Sequence, residues 1–150
     1  MRREGYRARV ARRARGRGFA GPNVEFAGFL PRKEYVRTVA RAKALVFAGC
    51  EEFGIALAEA QACGTPLIAF GRGGACDIVR PLGVTEGSTG VLFDRQSAGA
   101  VKDAVATFEL NRDLLRPASC RENAQHFSAE RFRREMREAL AKGFELHARG

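Results

Sequence analysis

Apolar and polar positions follow three rhythms along this chain of 150 residues. Two short stretches, Ala44-Leu45-Val46-Phe47-Ala48 and Leu67-Ile68-Ala69-Phe70, are apolar without interruption. Such runs mark strands covered on both faces. Val24-Glu25-Phe26-Ala27-Gly28-Phe29 begins with alternation and reads as another strand, and Gly90-Val91-Leu92-Phe93 as a short fourth. Elsewhere the apolar residues recur at helical spacing. Tyr35, Val36, Val39 and Ala42 stripe residues 32–42, and Ala98, Val101, Val105 and Phe108 stripe residues 97–109. A helix over 55–63 ends at Gly64 and Pro66, and one or two turns fit 75–80. Within 113–125, Pro117 confines the regular part of a helix to the residues after it. Ser128 is a good N-cap for a long charged helix reaching about Leu146, with Phe132, Met136, Leu140 and Phe144 as its apolar face. Residues 4–15 suit a short basic helix, broken by Gly16, Gly18, Gly21 and Pro22.

Buried strands alternating with helices predict a Rossmann-like α/β fold, a parallel sheet with flanking helices. Ligands of such sheets bind beyond the carboxyl ends of the strands. The loops at 49–54 and 71–74 both leave strand carboxyl ends and should open onto one crevice.

Charge changes this picture little. Of the formal +9, residues 1–18 supply +7, from eight arginines against Glu4, so the rest is nearly balanced. The division expected is a basic N-terminal arm or helix over 1–21 and a partial ligand-binding α/β domain over 22–150. A nucleic-acid role for the arm is disfavoured, because no aromatic residues for base stacking interleave with the arginines. No segment is apolar for long enough to cross a bilayer.

Cys50, Cys63, Cys76 and Cys120 form no C-x-x-C pair, and His126 and His147 do not complete a zinc set. Reduced thiols are expected, Cys63 and Cys76 as small core residues and Cys50 in a core or wall position.

The chemistry concentrates between Cys50 and Gly74, C-E-E-F-G-I-A-L-A-E-A-Q-A-C-G-T-P-L-I-A-F-G-R-G-G. A nucleotide sugar presents hydroxyls, a diphosphate and a hexose. Ionised carboxylates accept strong hydrogen bonds from hydroxyls. Helix N-termini offer unpaired N–H groups to phosphate, and glycine lets phosphate approach the backbone. Glu51, Gly54-Ile55-Ala56 and Glu59 supply these in order, with seven residues between the two acids. The ordered set E-E-F-G, E-A-x-A-x-G-x-P, apolar strand and G-x-G-G resembles the donor-site signature of family-4 (group 1) glycosyltransferases of the GT-B fold. The likeness covers roughly residues 22–145.

That resemblance implies roles. Glu51 would contact hydroxyls of the donor sugar and Glu59 the ribose. Phe53 and Gly54 would make backbone contacts to sugar and diphosphate, followed by Ile55 and Ala56. Phe29 and Leu30, at the end of V-E-F-A-G-F-L, are candidates for base contacts. Asp77 stands where the family often has a glutamate, and Arg72 faces either the diphosphate or solvent. The activity implied is transfer of a hexose, mannose the candidate, from a GDP- or UDP-sugar to a glycan or glycolipid acceptor, with retention and without a metal, since no D-x-D motif occurs. It would serve polysaccharide biosynthesis, in the cytoplasm or at the inner face of the membrane.

The resemblance also leaves gaps. An acceptor domain and the first strands of the donor domain, with the basic pair that clamps the diphosphate, have no counterpart here. The strand at 24–29 is therefore expected without a neighbour and that at 44–48 with an apolar edge. The isolated chain should lack turnover. The alternative reading is a non-catalytic remnant, or a partner subunit completing a separate acceptor-domain chain.

Overall fold

The structure, a computed structural model, describes residues 8–10, 21–84 and 87–148. Two compact units divide the chain, Met1–Thr38 and Val39–Gly150. The first holds two strands, β1 (Ala8–Val10) and β2 (Val24–Phe26), paired in parallel with Ala8 opposite Val24 and Val10 opposite Phe26. Both differ from expectation. Residues 8–10 are extended rather than helical, and β2 has a neighbour. The remainder of the expected basic helix lies outside the described residues. Strand pairing is a non-local interaction, and here it overrides a helical local composition. Helix α1 (Arg32–Ala40) follows and spans the boundary between the units.

The second unit is built on a three-stranded parallel sheet in the order β3 (Leu45–Phe47), β4 (Leu67–Phe70), β5 (Gly90–Phe93). Leu45 stands opposite Leu67, and Leu67 opposite Gly90. Helix α2 (Ile55–Ala62) connects β3 to β4, and the four-residue α3 (Ala75–Ile78) lies between β4 and β5. Then come α4 (Ala98–Leu110), a 3-10 turn at Arg112–Leu114, α5 (Pro117–Gln125) and α6 (Ala129–Ala148). Ser97 caps α4 by accepting from the Ala100 amide at 3.2 Å, and Ser128 caps α6 by accepting from the Arg131 amide at 3.3 Å. Pro117 occupies the start of α5, where its missing N–H costs nothing.

The core forms where β4 and β5 meet α4: Ile68, Val91, Phe93, Ala104, Phe108 and Leu115. β4 is the interior strand, and Leu67, Ile68 and Ala69 are all buried. β3 is the edge of its sheet, and Val46 is 48% exposed, so the strand is not covered on both faces. The apolar stripe of α6 is also uncovered, with Phe132, Met136, Leu140 and Phe144 all exposed. Among the described residues no helix is long and apolar enough to cross a membrane.

Candidate functional site

The loops after the three parallel strands are tied together at their carboxyl ends. The amide of Gly71, just past β4, donates to the carbonyl of Phe93 at 2.8 Å. Gln96, past β5, sends its side-chain Nε2 to the carbonyl of Ala48, past β3, at 2.7 Å. Most closely joined are the two motif loops, since the Gly74 amide donates to the Glu51 carbonyl at 2.9 Å. Glycine is needed on the second loop for this approach. A Cβ on Gly73 would overlap the Glu51 carbonyl oxygen, and one on Gly74 would overlap that of Phe53.

Helix α2 starts directly from this junction. Gly54 stands at its N-cap with φ 88°, a left-handed conformation natural to glycine, and no side chain caps the helix. The amides of Leu57 and Ala58 reach back to the Gly54 carbonyl at 2.9 and 3.4 Å. Those of Ile55 and Ala56 are among the first-turn N–H donors that an α-helix leaves without intrahelical partners. The positive end of the helix dipole is thus presented where the two loops meet.

The sequence-predicted residues fall in distinct places. Glu51 is exposed on the loop, with its carbonyl engaged by Gly74. Phe53, Ile55 and Glu59 line one open, mainly apolar groove of about 930 Å³. Its floor is the Ile55, Ala58, Glu59, Ala62 face of α2, and its far wall is the end of α5 and the start of α6, including His126, Phe127 and Phe132. The Phe53 ring meets Phe127 edge-on, with centroids 5.9 Å apart. Glu51 is not part of this lining. Gly54 is buried and Ala56 half-buried, while Arg72 and Asp77 are exposed. Phe29, 96% exposed, and Leu30, half-buried, belong to the first compact unit, whereas residues 51–59 belong to the second.

The cysteines depart from expectation. Cys50 and Cys76 are exposed, Cys63 is half-buried, and only Cys120 is fully buried. The four-residue α3 turns Ala75 and Ile78 inward and leaves Cys76 outside. Burial pushes the Cys120 thiol up to about 11. No cluster of three or more His, Cys, Asp or Glu side chains fit for a metal ion occurs among the described residues.

One group of residues escaped the sequence reading. Gln61, Thr89 and Asn123 are buried and hydrogen-bonded to one another and to nearby backbone. A signal existed, because Gln61 shares the buried face of α2 with Leu57 and Ala60. A search for apolar periodicity passes over an amide at such a position.

Comparison with known proteins now places the chain. The model of the family described as "Glycosyl transferases group 1" matches residues 5–127. The chain belongs to the group 1 glycosyltransferases. The matched span begins before β1, so the strand pair at the start of the chain lies within the family's domain as well. Similar curated members include the D-inositol 3-phosphate glycosyltransferase of Nocardioides sp., 34% identical over 140 residues, covering 83% of this chain and 29% of that protein. The protein of the same name from Corynebacterium glutamicum is 49% identical over 57 residues, covering 38% of this chain and 12% of that one. Among solved structures, sucrose-phosphate synthase from Thermosynechococcus elongatus superposes with a TM-score of 0.71 at 29% identity, over 84% of this chain and 31% of that one. Anabaena HepE, solved in complex with UDP-glucose, shares the fold with a TM-score of 0.60 at 22% identity, over 81% of this chain and 33% of that one. The chain therefore spans about a third or less of the length of each of these proteins.

Proposed function

We propose that this chain is the donor-binding part of a group 1 glycosyltransferase that transfers a hexose from a nucleoside-diphosphate sugar. The observation that carries the reading is the junction of the two motif loops, where the Gly74 amide holds the Glu51 carbonyl at the head of the uncapped helix α2. There the Ile55 and Ala56 amides receive the diphosphate, with the dipole of α2 opposing the charge that grows on the leaving group. Glu51 accepts hydrogen bonds from hydroxyls of the donor sugar, and Glu59 from those of the ribose. Backbone at Phe53 and Gly54 supports both. The family-4 likeness of the motif favours retention, the acceptor hydroxyl taking the anomeric carbon from the face that the diphosphate leaves. It also favours chemistry without a metal, a glycan or glycolipid as acceptor, and mannose as one candidate hexose.

The HepE complex makes UDP-glucose the natural first probe, with GDP-mannose beside it. Calorimetric titration of the chain in EDTA is expected to show saturable binding of one of these donors, weaker binding of the matching nucleoside diphosphate, and weaker still of the monophosphate. Equal affinity for all three, or binding that returns only on adding magnesium, contradicts the assignment.

A further inference from the structure

Helix α2 carries three of the six proposed donor contacts, at Ile55, Ala56 and Glu59. It is eight residues long, and four of them are alanines: Ala56, Ala58, Ala60 and Ala62. Leu57 is its one large buried apolar anchor. Apolar contact is non-directional, so a smooth, alanine-rich face resists rotation poorly. Directional restraint comes from a different source.

Gln61 Nε2 donates to the carbonyl of Ile78 at 3.2 Å and to Thr89 Oγ1 at 3.1 Å. Asn123 Nδ2, from α5, donates to Gln61 Oε1 and to the same Ile78 carbonyl, both at 2.6 Å. Thr89 Oγ1 also accepts from the Arg80 amide at 2.9 Å. Gln61 and Thr89 are fully buried and Asn123 is 5% exposed. Ile78 ends α3, so its carbonyl is one of the acceptors a helix terminus leaves open, and here it takes two side-chain donors.

These bonds close a circuit. The first motif loop leads into α2 and on to Gln61, and Gln61 reaches Ile78. From Ile78, α3 leads back to Gly74, and Gly74 grips Glu51 on the first loop. The two motif loops and the helices after them are thus joined at both ends. We propose that Gln61 and Asn123 are positioning residues, an amide clip that fixes the roll of α2 and so aims Glu59 and the first-turn amides at the donor. The proposal rests on the donor-binding reading above. In such a site a misplacement of about 1 Å can cost on the order of a hundredfold in rate.

The test is a double-mutant cycle on donor affinity, read with the full chain by calorimetry and with circular dichroism establishing the fold. Gln61→Met with Asn123→Leu removes the clip at similar volume and leaves the Ile78 carbonyl without its two side-chain donors, a cost of about 1–3 kcal/mol in stability. The clip predicts a folded protein whose affinity for the donor the wild type binds falls about tenfold or more. In a Glu59→Ala background the same pair should cost much less, because the clip acts in part through Glu59; a purely structural role would give additive losses. A folded Gln61→Met/Asn123→Leu protein that binds as wild type, or losses that add fully, overturns the proposal. If that pair does not fold, Gln61→Met alone, with Asn123 still on Ile78, is the second arm. At least a threefold loss is expected there, and wild-type affinity overturns the clip. Failure of the wild type to bind either UDP-glucose or GDP-mannose removes the donor reading and the clip together, whereas wild-type binding with unimpaired variants removes the clip alone.

Discussion

Gly74 and Glu51 are joined backbone to backbone at 2.9 Å, and the space beside Gly74 is already filled by the Phe53 carbonyl. Any side chain at position 74 must push the two loops apart. Gly74→Ala is therefore expected to cost about 1–3 kcal/mol in urea unfolding, the usual range for forced overpacking, and to abolish donor binding. Gly143 provides the contrast, since a Cβ there meets nothing within 4 Å and the residue lies inside α6. Gly143→Ala should stabilise by up to about 1 kcal/mol through helix propensity alone. Equal effects of the two substitutions would contradict the close approach of the loops.

The thiols make a second prediction. Cys50 and Cys76 are exposed and should react with a maleimide within the mixing time of a manual assay, Cys63 more slowly, and Cys120 only on unfolding. The Cys120 thiol is raised to about 11 by burial, so the folded chain holds this proton more tightly than the unfolded chain. Its contribution to stability is fully present below the ordinary thiol value of 9.0 and is lost as pH rises towards 11. Cys120→Ala should flatten the fall of unfolding free energy over that window relative to wild type. Parallel curves for the two proteins would show that the thiol is not buried as described.

Two phenylalanines separate core from surface. Phe108 is 2% exposed at the centre of the cluster under β4 and β5, and Phe144 is 72% exposed on α6. Phe108→Ala should cost about 3–5 kcal/mol. Phe144→Ala should stay within about 0.5 kcal/mol, as an uncovered side chain contributes little in this unit. A cost at Phe144 comparable to that at Phe108 would mean that the α6 stripe is covered in solution.

Most of the second unit was legible in the sequence because its signals are local. Leu67–Phe70 lies between Pro66 and Gly71, and the strand observed has those bounds. The α4 periodicity, the helix start at Pro117 and the cap at Ser128 likewise depend on near neighbours. Non-local facts were harder to read. β1 is a three-residue strand in arginine-rich sequence, and only its pairing with β2 reveals it. Val46 is exposed on the edge strand β3, a matter of what packs on the sheet face and not of composition. Four residues of α3 are too few to show which face Cys76 takes. At the candidate site, the order of glycines and acids was visible in the sequence. The contact of Gly74 with Glu51, and the amides of Gln61 and Asn123 behind it, required coordinates.

The central claim is that carboxylates flanking the head of α2 bind a nucleotide sugar. Calorimetry with UDP-glucose and GDP-mannose on wild type, Glu51→Ala and Glu59→Ala tests it most directly. The account predicts about 2 kcal/mol lost in each variant, near the middle of the range for a hydrogen bond to a charged group. The loss in Glu51→Ala should shrink when the sugar is absent from the ligand, and that in Glu59→Ala should persist with the nucleoside diphosphate. Wild-type affinity in both variants would contradict it.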